Sequence, residues 1–223
     1  MNLINISTEF NSDKQWRHKY FNIYEQYFNP YKNQNIKLFE IGILNGESLR
    51  IWEKYFNNEK SIFYGVDIDM NQISGTFNDR VIIEKVNQRN REEVITFAEK
   101  YGKFDIIIDD GDHQPLSQQM CFGILFKYLN PKGIYVIEDL HTSYNIGRLQ
   151  LDKTQISTID ILMILKNKLQ ITSDFMKQEE IDFVVNNYEY CDIKRYDVEK
   201  NEIVDSVMFG NKTPSEIAFI KKK

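Results

Sequence analysis

Phe104-Asp105-Ile106-Ile107-Ile108 runs into Asp109-Asp110-Gly111-Asp112-His113, and Gly133-Ile134-Tyr135-Val136-Ile137 runs into Glu138-Asp139. Both apolar runs are β-branched and bounded by turn residues, so they read as short buried strands. Laid side by side, their backbones are only about 5 Å apart. Up to four carboxylates then crowd one sheet edge, with Asp112 and His113 just beyond. Like charges that close cannot all stay ionised unless something neutralises them. A divalent cation is the simplest solution, and it points to a metal-assisted enzyme.

Outward from these strands the chain alternates. Strand candidates lie at 36–41, 62–66 and 81–86, and helices are predicted over 46–56, 91–101 and 116–128. That rhythm implies parallel βαβ units and an α/β, doubly wound sheet of Rossmann-like type. Residues 13–28 carry Trp16, Tyr20, Tyr24, Tyr27 and Phe28 near one helical face, and Asn29-Pro30 ends that segment. Beyond Tyr144 helices are expected over 156–169 and 178–187. Strand-like pieces follow at 190–196, 203–208 and 215–220, two of which suit a terminal antiparallel pair on a seven-stranded sheet. We read residues 1–223 as a single domain: an N-terminal helical cover (1–35), a core (36–145), an acceptor-pocket insertion (146–187) and terminal strands (188–223).

Composition bounds the function. A net charge of −5 argues against a general nucleic-acid binder. No apolar stretch approaches the ~20 residues of a membrane span. The terminal Lys221 to Lys223 read as a solvated tail. The first residues lack the charged start and apolar core of a signal peptide. Cys121 and Cys191 are lone and far apart, so no disulfide framework is indicated and a cytoplasmic location fits.

The first strand enters Glu40-Ile41-Gly42-Ile43-Leu44-Asn45-Gly46-Glu47-Ser48. This G-x-x-x-G turn is not the dinucleotide fingerprint, but it allows close approach of a ligand to the backbone. Asp67 ends the second strand, where an acid can accept from both hydroxyls of a ribose. Gln88, after the third, could meet an adenine edge. Singly these are ordinary turn glycines, a solvated strand end and an unremarkable amide. In order at the tips of strands one, two and three they are far more specific.

These residues resemble the class I S-adenosylmethionine-dependent methyltransferases, with motif I opened by Glu40 and Asp67 as the ribose acid. Asp109-Asp110-Gly111-Asp112-His113, Tyr135-Val136-Ile137-Glu138-Asp139 and Thr142-Ser143-Tyr144 are similar to the metal-dependent sugar O-methyltransferases of macrolides and surface polysaccharides. The family pattern is D-G-S-H, Y-V-I-E-D and T-S-Y, and here Asp112 replaces the serine. Phe10-Asn11-Ser12-Asp13-Lys14 resembles the group's N-terminal segment, with Asn11-Ser12 for its usual glycine-threonine. The resemblance covers roughly residues 8–145 and the final strand.

It implies adenosylmethionine bound by Glu40, Gly42, Gly46, Ser48, Asp67, Gln88 and Asp109. It makes Asp110, Glu138 and Asp139 the ligands of Mg²⁺ or Mn²⁺, hard cations suited to oxygen donors. It makes His113 the general base that takes the proton of a metal-acidified sugar hydroxyl. Lys14, His18, Asp112, His141 and Tyr144 are substrate candidates. Asp112 is equally a helix cap, His141 a loop residue and Tyr144 a core residue. The expected acceptor is a nucleotide-linked sugar, such as a heptose or deoxysugar for surface polysaccharide biosynthesis, with a natural-product glycoside as the alternative sugar acceptor, and a homodimer is admissible. The alternatives are a catechol-type methyltransferase, which usually has Asp-Asn at the second metal position and a lysine base, and a nucleotide-binding module without chemistry.

Overall fold

The structure is a computed structural model describing residues 1–10, 12–144, 155–197, 200–205 and 215–223; of Tyr144 only the backbone is described. Three short helices open the chain: α1 (Leu3–Ser7), α2 (Asp13–Trp16) and α3 (Tyr20–Phe28). The alternating body follows as β1 (Lys37–Ile41), α4 (Glu47–Tyr55), β2 (Ile62–Asp67), β3 (Val81–Lys85), α5 (Arg91–Tyr101), β4 (Phe104–Asp109), α6 (Pro115–Leu125) and β5 (Leu129–Ile137). Helices α7 (Thr158–Lys166) and α8 (Gln178–Asn187) precede β6 (Tyr188–Asp197), β7 (Glu202–Asp205) and β8 (Glu216–Lys222).

The strands form one sheet in the order β3-β2-β1-β4-β5-β8-β6-β7. The pairs from β3 through β5 are parallel, and β8, β6 and β7 are added antiparallel. The mostly parallel sheet with its antiparallel end is as expected. It has eight strands rather than seven, because β7 pairs with β6 as a further edge strand. Residues 206–208 of the strand expected at 203–208 lie outside the described residues.

Side-chain chemistry accounts for the helices. Asn90 caps α5, its Oδ1 accepting from the Glu92 amide at 3.1 Å. Helix α4 buries Leu49, Ile51, Trp52 and Tyr55 against one face of the sheet. Tyr20, Tyr24 and Phe28 of α3 cover the same face, with the Tyr24 ring 5.2 Å from Trp52 and 5.6 Å from Phe219. Helices α5, α6, α7 and α8 cover the other face.

The cover departs from the sequence reading at one point. Residues 13–28 are two helices, broken where Lys19 adopts φ +58°. The break leaves Trp16 60% exposed, off the face formed by Tyr20, Tyr24 and Phe28. It also lets Lys14 and His18 reach inward, toward the carboxylates at the sheet edge.

Candidate active site

Strand order reverses between β1 and β4, and ligands of open α/β sheets bind outside the carboxyl ends at such a point. The register makes the tips adjacent: Ile41 pairs with Asp109, and Asp109 with Ile137. The ladder continues past the strands, with the Asp110 amide donating to Ile41 O (2.9 Å) and the Glu138 amide to Asp109 O (3.0 Å). The glycine turn and the acidic turn thus meet backbone to backbone. At Gly42, φ is +79° and a Cβ would lie 2.1 Å from the Asp110 carbonyl oxygen, so no other residue fits there.

A cavity of about 830 Å³ opens at this edge, a size suited to a small-molecule ligand. Its walls include Gly42, Ser48, Asp67 and Gln88 from the cofactor set, and Asp110, His113 and Asp139 from the metal and base set. Asp112 and Lys14 also line it, whereas Glu40, Gly46, Asp109, Glu138, His18 and His141 do not. Ser12, Asp13, Trp16, Leu44, Ile68 and Arg89 line it too, none of them named as a site residue from sequence. The turn and cover positions of these residues were visible, but their approach to the cavity depends on how the elements pack.

The cofactor residues are tied to one another. Asp67 Oδ2 accepts from the amides of Ile43 and Leu44, both at 3.0 Å, so this acid already holds the glycine turn. Gln88 Oε1 accepts from the Asp112 amide at 2.8 Å over Gly111, while its buried Nε2 has no hydrogen-bond partner. An orphaned amide donor on a cavity wall fits an acceptor edge such as that of adenine. Glu40 is fully buried and accepts from Trp52 Nε1 at 3.0 Å. Asp112 accepts from Arg89 Nε (2.6 Å), Ser117 Oγ (2.9 Å) and the Gln114 amide (3.0 Å), a bracing position at the start of α6.

The acids fall into two groups that share Asp110. Ligand atoms of Asp110, His113 and Asp139 lie within 4.8 Å of one another, and so do those of Glu40, Asp110 and Glu138. The structure therefore places Glu138 beside Asp110 and does not gather it with Asp139 in one such group. Lys14 Nζ contacts Asp110 Oδ2 and lies 2.7 Å from Glu138 Oε1 and 3.3 Å from Glu40 Oε1. Burial works against this ammonium, but the three carboxylates outweigh it and hold its pKa well above the usual lysine value. Hard oxygen donors at this spacing, with a buried His113 Nδ1 lacking a hydrogen-bond partner, fit a divalent ion.

All three histidines of the chain surround Asp139. His113 Nε2 is 3.5 Å from its Oδ2, and His18 Nδ1 and His141 Nδ1 are 3.5 and 3.8 Å from its Oδ1. Tyr20 donates to the same Oδ1 at 2.7 Å. Burial alone would raise the Asp139 pKa, but the facing His113 and His18, with Tyr20 and His141, outweigh it and lower it. His18 also contacts Ser215 Oγ, and burial keeps its imidazole below the ordinary value. His113 and Asp139 both sit in the left-handed region, at φ +56° and +54°, which is uncommon for non-glycine residues.

Asp109 is fully buried, and burial, then Asp112, push its pKa up to about 7. A carboxyl raised in the folded state is protonated in both states at low pH. Between the ordinary value and the raised one the unfolded carboxyl ionises while the folded one keeps its proton, so stability is lost as pH rises across that window and levels off above it. From about pH 4 to about pH 7 the metal-free protein is expected to lose about 4 kcal/mol from this group. Urea unfolding in EDTA across that range checks it. Asp109→Asn should flatten the slope, and an unchanged slope would refute the assignment.

No family model matches the chain. It is 36% identical over 149 residues to the 8-demethyl-8-alpha-L-rhamnosyl tetracenomycin-C 2'-O-methyltransferase of Streptomyces olivaceus, covering 64% of this chain and 38% of that protein. It is 35% identical over 129 residues to the mycinamicin VI 2''-O-methyltransferase of Micromonospora griseorubida, covering 54% and 31%. Among solved structures it is similar to the MycE methyltransferase of the mycinamycin biosynthetic pathway in complex with Mg and SAH. There the TM-score is 0.74 at 26% identity, over 100% of this chain and 55% of that one. The chain thus spans less than two-fifths of the length of these curated relatives. In sequence and in fold, the chain is similar to S-adenosylmethionine-dependent methyltransferases that act on sugar hydroxyls of natural-product glycosides.

Proposed function

We propose that the chain is one methyltransferase domain that transfers a methyl group from S-adenosylmethionine to a sugar hydroxyl with the help of a divalent metal. The observation that carries the reading is the shared cavity edge. The glycine turn at Gly42 and the Asp110–His113–Asp139 group abut through a backbone contact, so donor and acceptor halves open into one space. Adenosylmethionine, when bound, supplies the electrophilic methyl, and Mg²⁺ or Mn²⁺ supplies Lewis acidity that makes a hydroxyl a better nucleophile.

The protein residues do the rest. Asp67 and Gln88 hold the nucleoside part, and Gly42 lets it lie against the backbone. Asp110, Glu138 and Asp139 hold the metal. His113 faces the cavity and takes the hydroxyl proton at a ring nitrogen, while Asp139 beside it stabilises the imidazolium that results. Two buried free thiols, Cys121 and Cys191, accord with a cytoplasmic enzyme.

The cavity bears on the acceptor. Of its described cations, Lys14 is committed to buried carboxylates and Arg89 is paired through Nε with Asp112 at 2.6 Å. Trp16, Leu44 and Ile68 present apolar surface at 58–60% exposure along its wall. These features favour a neutral glycoside over the nucleotide-linked sugar expected from sequence. They match the glycosides in the relatives' names. A screen with labelled methyl donor tests both levels. Label on neutral deoxysugar glycosides is expected, and label on nucleotide sugars instead would return the acceptor to the earlier expectation. Turnover of catechols alone, or no calorimetric binding of S-adenosylhomocysteine, would refute the sugar methyltransferase reading.

A further inference from the structure

Of the two acid groups that share Asp110, the inner one already holds a cation. Lys14 is 3% exposed, and the Glu40 and Glu138 beside it are 0% and 1% exposed. Its ammonium reaches all three carboxylates from α2, 96 residues from Asp110 and 124 from Glu138 in sequence. Buried acids this close need positive charge to stay ionised. The chain provides it from its own cover segment.

We infer that Lys14 is the internal counter-ion of the carboxylate cluster and sets its affinity for the divalent ion, the two cations binding against each other. The inference rests on the metal reading above. An ion on Asp110, Glu138 and Asp139 shares the Asp110 and Glu138 carboxylates with the ammonium, and like charges a few ångströms apart repel. The coupling is reciprocal: the ion weakens the seating of Lys14 as much as Lys14 weakens the ion. Lost pre-organisation would work the other way, but the carboxylates keep other anchors. Tyr24 donates to Glu138 Oε1 at 2.5 Å, and Trp52 to Glu40 Oε2 at 3.0 Å.

Lys14→Met and Lys14→Gln, in the full chain, separate this role from a purely structural one. A structural role predicts lower stability and no gain in metal affinity. The counter-ion role predicts Mn²⁺ binding tighter by about tenfold or more, within the ~5–150-fold typical of coupled sites. It also predicts a melting temperature lower by roughly 10 °C in EDTA, with Mn²⁺ recovering more of it than it adds to wild type. Lys14→Arg, which keeps the charge, should stay near wild type in Mn²⁺ affinity. Neutral variants that unfold in EDTA but fold in Mn²⁺ would support the same conclusion. Neutral variants that bind Mn²⁺ no more tightly than wild type, or do not fold even with Mn²⁺ present, would overturn it. If wild type and variants alike bind no Mn²⁺, the metal reading falls as well.

Discussion

Asp139→Ala, or excess EDTA on the wild type, is expected to lower methyl transfer by at least ~10³-fold, since several kcal/mol of charge stabilisation leave with the metal and each 1.36 kcal/mol is about tenfold. Asp139 is the acid on which His18, His113, His141 and Tyr20 converge, so its loss also frees the groups that position the base. Asp110→Ala and Glu138→Ala should be comparably severe, and pairs of substitutions little worse than single ones, because the three act as one unit. Mg²⁺ or Mn²⁺ should restore the chelated wild type and not the alanine variants. S-adenosylhomocysteine binding should survive, because the cofactor wall is held separately through Asp67 and the glycine turn. Full activity in excess EDTA would remove the metal from the mechanism.

His113→Ala should lower the rate by about 10²-fold or more while leaving cofactor and metal binding in place. The deficit should narrow at high pH, where solvent hydroxide can take the proton in place of the ring. Mn²⁺ titration of the variant is the deciding measurement. His113 Nε2 lies 3.5 Å from Asp139 Oδ2, near enough for the ring to be a ligand instead of a base. Loss of Mn²⁺ from His113→Ala would make it one, and the base would then be sought at His141 or Asp112.

The fold was legible because its information is local. Phe104–Asp109 and 133–137 are apolar runs closed by acids, and the glycine turn and Asp67 fall at strand tips in chain order. Each needs only a strand assignment and the rule for where ligands bind on parallel sheets. What was not legible depends on contacts far apart in sequence. The pairing of His18 with Ser215 spans 197 residues, and nothing around either residue announces it. Lys14 read as a cover residue near substrate, yet its amine is buried on carboxylates from β1, β4 and β5 tips. The aromatic spacing of 13–28 suggested one helical face, since periodicity carries no mark of a single left-handed residue at Lys19. Asp112, open between cap and substrate contact, is braced by Arg89 and Ser117, neither of which is adjacent in sequence.

The gathering of every histidine around one carboxylate has a practical side. The chain has three imidazoles, and each has a ring nitrogen within 3.8 Å of an Asp139 oxygen. A histidine ring spectrum by nuclear magnetic resonance therefore contains the site and nothing else, with no bystander resonances to assign or remove. Broadening by Mn²⁺, shifts on acceptor binding and exchange between ring tautomers can all be followed on the unmodified protein.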